Sequence, residues 1–246
     1  DDCVDHIRNA HHIDRINLMG VCQGGTFATI YAAMNPEKIR NLITMVTPID
    51  FHTEDGLLNI WSRYLNTDLA VETLGNIPGD LMNFIFLVLK PYQLMVDKYV
   101  GFVENAHSPD AVENFLRMEK WIFDSPDLAG EAFRKFVKEM YQNNSLIKGE
   151  LEIGGKKVDL KRIRMPVLNI FAEKDHLVPP SSSNVFSRYA ASEDFTDMSF
   201  PVGHIGLYVS SRTQKALAPQ IADWLIARSK NKPLKRPSVV KPTKVA

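Results

Sequence analysis

The sequence predicts an α/β fold, a parallel sheet interrupted by a large and mainly helical insertion. Three observations carry this. Short apolar runs of strand length stand at 15–21, 42–46, 165–171 and 195–200. Apolar residues at helical spacing follow the first and the last of these runs. Between about Phe51 and Lys161 the character changes to tryptophan, phenylalanine and methionine at helical spacing. With 246 residues, 45% of them hydrophobic, the chain is long enough for one large domain or two small ones.

Taken in order, Arg15 to Val21 reads as a β-strand. Gly24 and Gly25 then open a helix whose Phe27, Ile30, Tyr31 and Met34 share one face, and Asn35-Pro36 stops it. Leu42 to Val46, closed by Thr47-Pro48, reads as the next parallel strand, buried on both faces. Residues 51–161 form the insertion, a helical cap. Val112, Phe115 and Leu116, then Phe133, Phe136, Val137 and Met140, mark helices in it, and a structureless loop of that length would be unusual. Its methionines and aromatics read first as plain core. Met165 to Phe171 and Phe195 to Phe200 resume the strands. Ala216, Leu217, Ile221, Trp224 and Leu225 mark a closing helix whose start is left open by Pro219. The core is therefore expected at 1–50 and 162–228, and a disordered basic tail at 229–246.

Composition removes whole classes of function. The 13 glycines and 14 prolines show no period, which excludes fibrous repeats. The longest apolar run, Leu81 to Leu89, contains Asn83 and ends at Lys90-Pro91, so no transmembrane span is expected. The first ten residues lack the apolar core of a signal peptide. Two cysteines, Cys3 and Cys22, suit a reducing cytoplasm and offer no zinc spacing, so no metal is expected. The net charge of zero hides a split: every acid lies at or before Asp223, while Arg228 and the six lysines and arginines beyond it give the tail +7 and leave −7 on residues 1–227. The tail reads as a solvated extension, with docking to an acidic partner or surface as the alternative. Nucleic acid is not an expected partner.

Chemistry concentrates at Gly20-Val21-Cys22-Gln23-Gly24, a G-x-C-x-G sequence between a predicted strand and a predicted helix. This is the nucleophile-elbow pattern of α/β-hydrolases with cysteine for serine. Gly20, Gly24 and the adjoining Gly25 are expected to be there because side chains would strike the neighbouring strand and helix. The sulfur at a helix start also faces positive dipole and free N–H groups, which favours its charged form. The plain alternative is a buried structural cysteine. Against it, Asp175 and His204 each follow a strand, and the order nucleophile, acid, histidine is the order of this fold. His204 is expected to take the proton of Cys22 and Asp175 to fix the imidazole tautomer. His176 competes weakly as base; Glu173 and Asp194 are alternative acids. His6, His11, His12, His52 and His107 read as surface or capping residues, His52 meriting comparison with the cap. The backbone N–H of Gln23 is one expected oxyanion donor, and the other should come from a loop after an earlier strand. A cysteine nucleophile exchanges with a thioester at little free-energy cost, so acyl transfer is favoured over hydrolysis under a cap that excludes water.

Four blocks, Ile16-Asn-Leu-Met-Gly-Val-Cys-Gln-Gly-Gly25, Asn41-Leu-Ile-Thr-Met-Val-Thr-Pro-Ile-Asp-Phe51, Phe115-Leu-Arg-Met-Glu-Lys-Trp-Ile-Phe-Asp-Ser-Pro126 and Phe171-Ala-Glu-Lys-Asp-His-Leu-Val-Pro-Pro180, closely resemble the catalytic subunit of class III polyhydroxyalkanoate synthases. The likeness runs from about Asp14 to Ala227. It implies a polymerase that takes (R)-3-hydroxyacyl-CoA, mainly 3-hydroxybutyryl-CoA, releases CoA and grows a polyester on the catalytic cysteine. It implies Cys22 as nucleophile, His204 as base and Asp175 as acid, the acid also assisting the hydroxyl of the incoming monomer. No cofactor is implied, because CoA is part of the substrate. The implied partners are a second, non-catalytic subunit, a homodimer or hetero-oligomer, and the surface of cytoplasmic polymer granules. Relative to that family, an N-terminal part of roughly a hundred residues or more, with the first strands and the second oxyanion donor, is expected to be missing. Two other readings stay open: a capped hydrolase (thioesterase or polyester depolymerase) using the same triad, and an inactive module that binds a granule or partner.

Overall fold

The computed structural model describes residues 1–229, so nearly all of the expected basic tail lies outside the described residues. Four strands, β1 (Ile16–Val21), β2 (Ile39–Met45), β3 (Val167–Ala172) and β4 (Phe195–Phe200), form one parallel sheet in the order β1-β2-β3-β4. The register pairs Val21 with Met45, Met45 with Ile170 and Ile170 with Met198, so the C-terminal ends of all four strands share one edge. The central strands match the expected apolar runs because both of their faces are covered. On one face Leu42 and Val167 pack with Ala28, Phe51, Leu146 and Phe186. On the other, Ile43, Met45, Leu168 and Ile170 pack with Leu207, Leu217 and Trp224.

Two strands depart from pure apolar runs. β2 begins three residues before the apolar run, since Ile39 pairs with Ile16 and the buried Asn41 donates its amide to Asn17 Oδ1 at 2.8 Å. In β3, the fully buried Asn169 accepts from Thr44 Oγ1 at 2.9 Å and donates to the Ser183 carbonyl and to Asp197 Oδ1. A buried amide with its partners supplied costs little, whereas removing one partner would strand the rest. Burial raises the Asp197 carboxyl above the usual aspartate value, and the Asn169 amide offsets part of that rise.

Helix α1 (Asp2–His11) has no counterpart in the apolar pattern, because it buries no residue. Charge holds it instead: Asp2 and Asp5 lie in its first turn and Arg8 and His11 in its last, matching the helix dipole. Lys38 ties it down through Asp1 and Asp5 at 2.6 and 2.8 Å, and Tyr31 donates to Asp1 at 2.6 Å. Helix α2 (Gln23–Met34) packs against β1 and β2 and stops at Asn35-Pro36 as expected.

Between β2 and β3 the described chain is mainly helical, with helices at Leu57–Ser62, Thr67–Leu74, Gly79–Val88, Lys98–Glu104, Pro109–Phe123 and Gly130–Phe136. Gln93–Asp97 and Val137–Gln142 are π-helical turns. Asn66 and Ser108 cap two of the helices by accepting from Leu69 N–H and Ala111 N–H, and Pro109 occupies a first-turn position that needs no N–H. The closing helix, Ser211–Ala227, runs through Pro219, so the start lies eight residues before the proline. The proline removes one backbone bond, while Gln220 Nε2 donates to the neighbouring Ala216 carbonyl. No helix among the described residues is long and apolar enough to cross a membrane.

Candidate active site

Cys22 sits at the turn between β1 and α2 with φ 53° and ψ −125°, a conformation that costs a non-glycine residue about 1–3 kcal/mol. Its surroundings hold it there. Cys22 N–H donates to Met45 O at 2.8 Å, and the Cys22 carbonyl accepts from Gly25 and Thr26. Val46, buried and β-branched, is likewise held at φ 44° by a 2.7 Å bond from its N–H to Ile170 O. That turn sets Thr47 against the elbow.

The three elbow glycines are not equivalent. A Cβ on Gly20 would lie 2.4 Å from Gly24 O and 2.5 Å from Gly25 Cα, and one on Gly25 would lie 1.8 Å from Thr47 Oγ1. A Cβ on Gly24 would meet nothing within 4 Å. The steric reason expected for Gly24 is therefore wrong: the close approach to the neighbouring strand falls on Gly25, because Thr47 faces that residue.

His204 and Asp175 come together from the ends of β4 and β3. His204 Nδ1 donates to Asp175 Oδ2 at 2.7 Å, and both residues are buried, at 5% and 7% exposure. Asp175 Oδ1 accepts from the N–H groups of Leu177 and Val178 at 2.9 Å each, which fixes the carboxylate. Burial by itself would lower the His204 pKa, but hydrogen bonding to Asp175 and interaction with Cys22 outweigh it and raise the value to about 10. Cys22 is partly exposed beside this pair.

The alternatives are engaged elsewhere. Glu173 is exposed and accepts from Ser199 Oγ, while Asp194 is paired with Arg228. His52 Nε2 lies 3.0 Å from the Tyr141 carbonyl and ties the β2 exit to the insertion. His176 is kept readily deprotonated by burial and by the Lys90 charge. The N–H of Gln23, first residue of α2, has no hydrogen-bond partner among the described residues, which leaves it available to a ligand oxygen.

Cys22 and Gln23 open into a cavity of about 520 Å³ whose walls come mostly from the insertion, among them Trp61, Phe86, Phe133, Phe136 and Tyr141. A second cavity of similar volume, between Leu146 and Tyr189, contains none of the predicted site residues. Sequence reasoning missed two tyrosines near the sulfur. Tyr208 packs edge-on to His204 at 6.2 Å, and burial first, then the Cys22 and Asp175 charges, push its hydroxyl up to about 12. Its spacing of four from His204 was the available signal. Tyr141 is 119 residues from Cys22 in sequence and offered none. Among the described residues no group of three or more His, Cys, Asp or Glu is arranged to hold a metal ion.

The profile of the α/β-hydrolase fold family matches residues 1–210. Among characterised proteins, the chain is 55% identical over 228 residues to the poly(3-hydroxyalkanoate) polymerase subunit PhaC of Allochromatium vinosum, covering 93% of this chain and 64% of that protein. It is 52% identical over 229 residues to the PhaC of Thiocystis violacea, with the same coverages. The resemblance read from the sequence blocks is thus borne out, and the chain spans 64% of the length of these relatives. Among solved structures, a monoacylglycerol lipase of Paleococcus ferrophilus has a TM-score of 0.55 at 14% identity, over 93% of this chain and 74% of its own. A thermophilic esterase of Thermogutta terrifontis has a TM-score of 0.56 at 14% identity, over 93% and 71%. At that identity the likeness is one of fold. With a parallel sheet, an elbow at the end of a strand and a family profile covering most of its length, the chain belongs to the α/β-hydrolase fold family.

Proposed function

We propose that this chain is the catalytic part of a polyhydroxyalkanoate synthase that polymerises (R)-3-hydroxyacyl-CoA, mainly 3-hydroxybutyryl-CoA, through a thioester on Cys22. The observation that carries the reading is a cysteine at a strained elbow, beside a buried His204–Asp175 pair and opening into an apolar cavity, in a chain 55% identical to a polymerase subunit. Cys22 thiolate attacks the thioester carbonyl, the Gln23 N–H donates to the developing oxyanion, and CoA leaves with a proton from His204. In elongation His204 accepts the proton of a hydroxyl, its oxygen attacks the acyl carbon, and Cys22 leaves as thiolate. Asp175 keeps Nδ1 protonated so that the other ring nitrogen faces the chemistry. Gly20 and Gly25 let β1 and α2 close around the nucleophile. The apolar wall limits water, which favours transfer to an alcohol over hydrolysis.

No cofactor is needed, since the activated acyl group arrives with its own leaving group. The protein acts in the cytoplasm at the polymer granule surface, together with a second, non-catalytic subunit and as an oligomer. Incubating the full-length protein with 3-hydroxybutyryl-CoA tests the reading. Release of CoA matched by polymer is the expected result; CoA with free 3-hydroxybutyrate and no polymer would assign a thioesterase instead.

A further inference from the structure

We propose that the Tyr141 hydroxyl is a further catalytic group, donating a hydrogen bond to the oxygen of the acyl group as it joins Cys22. Tyr141 lines the cavity that holds Cys22 and Gln23, and its hydroxyl has no hydrogen-bond partner among the described residues. The wall around it is mostly apolar, so the hydroxyl is left as a donor that a bound acyl oxygen can meet. The ring is fixed by edge-on packing against Phe51 at 4.8 Å and Phe136 at 6.0 Å. Its backbone is fixed as well: Tyr141 belongs to the π-turn Val137–Gln142, and its carbonyl meets His52. Such turns recur at functional sites because they re-aim one side chain within a helix. Burial, with the Cys22 charge second, pushes the phenol well above an ordinary tyrosine, so it stays a donor at working pH.

The inference rests on the proposal that Cys22 is acylated, and does not require that the acyl group be polymerised. As the Cys22 Sγ–C bond forms, the carbonyl electron pair moves to oxygen and Tyr141 O–H donates to it without giving up its proton. As the oxyanion collapses, the carbonyl re-forms and the leaving group departs.

The test uses the full-length protein and Tyr141→Phe, which keeps the ring and its packing. Acylation is followed as a nitrophenolate burst from p-nitrophenyl acetate. Alkylation by iodoacetamide, which makes no oxyanion, serves as control. The expected result is a burst slowed about 100-fold with alkylation unchanged, the size of losing one oxyanion donor. A burst at the wild-type rate would overturn the proposal, as would equal slowing of burst and alkylation, which would mean that Tyr141 only shapes the elbow. A wild-type protein giving no burst would overturn it too. A wild-type burst without CoA release from 3-hydroxybutyryl-CoA would sink the synthase reading alone, leaving the Tyr141 comparison to stand on the burst.

Discussion

The sheet and the insertion solve different problems with different materials. β2 buries six of its seven residues, whereas the longest inserted helix, Pro109–Phe123, buries none of its 15. Near the sheet, strain is concentrated: Cys22 and Val46 both hold positive φ, each pinned by backbone bonds to the neighbouring strand. In the insertion, apolar side chains such as Trp121 and Leu116 stay more than half exposed. Geometry that must hold to fractions of an ångström is kept where close packing cannot relax. Walls that only need to be apolar are built from short helices with less buried support, the kind of region that opens first.

That contrast can be broken deliberately. Cys22→Ala should lower CoA release from 3-hydroxybutyryl-CoA by about 10⁴-fold or more with the fold intact, since the bond-forming atom is gone. Asp175→Asn should cost about 10²–10⁴-fold in kcat, because the wrong tautomer of His204 is then held, while circular dichroism stays unchanged. Gly25→Ala drives a methyl into Thr47 and should destabilise by about 3 kcal/mol in denaturant titrations, while Gly24→Ala should shift the midpoint by less than about 0.5 kcal/mol. If both glycines prove equally sensitive, the assignment of the close contact to Gly25 is wrong.

Two smaller effects sharpen the comparison. His204 is raised from 6.5 to about 10 on folding, so its stabilising interactions are fully present below pH 6.5 and fade as the pH climbs towards 10. Thermal melts should therefore show wild type losing its advantage over His204→Gln across that window. A constant difference from pH 6 to pH 10 would contradict the buried ion-paired state. On the insertion, Leu116→Ala should change stability by no more than about 0.5 kcal/mol, measured by the same titration.

The strands were readable because β2 and β3, covered on both faces, leave almost unbroken apolar runs. Cys22, Asp175 and His204 were readable because each follows the end of a strand and their order follows the fold. Helix α1 was not readable from periodicity, as it buries nothing and is held by Lys38 and Tyr31 from outside itself. The early start of β2 was hidden by Arg40 and Asn41, the latter tolerated only because Asn17 lies opposite.

What the sequence alone determined is the α/β class, the G-x-C-x-G elbow, and the placing of Cys22, Asp175 and His204 after strands, because local period and strand-end position are written in neighbouring residues. Only the tertiary structure decided which glycine is sterically necessary, since that depends on Thr47 across the sheet. It also decided that Glu173 and Asp194 are engaged elsewhere, and that Tyr141 shares the Cys22 cavity. These facts concern residues far apart in the chain, and their distances are set by packing rather than by spacing.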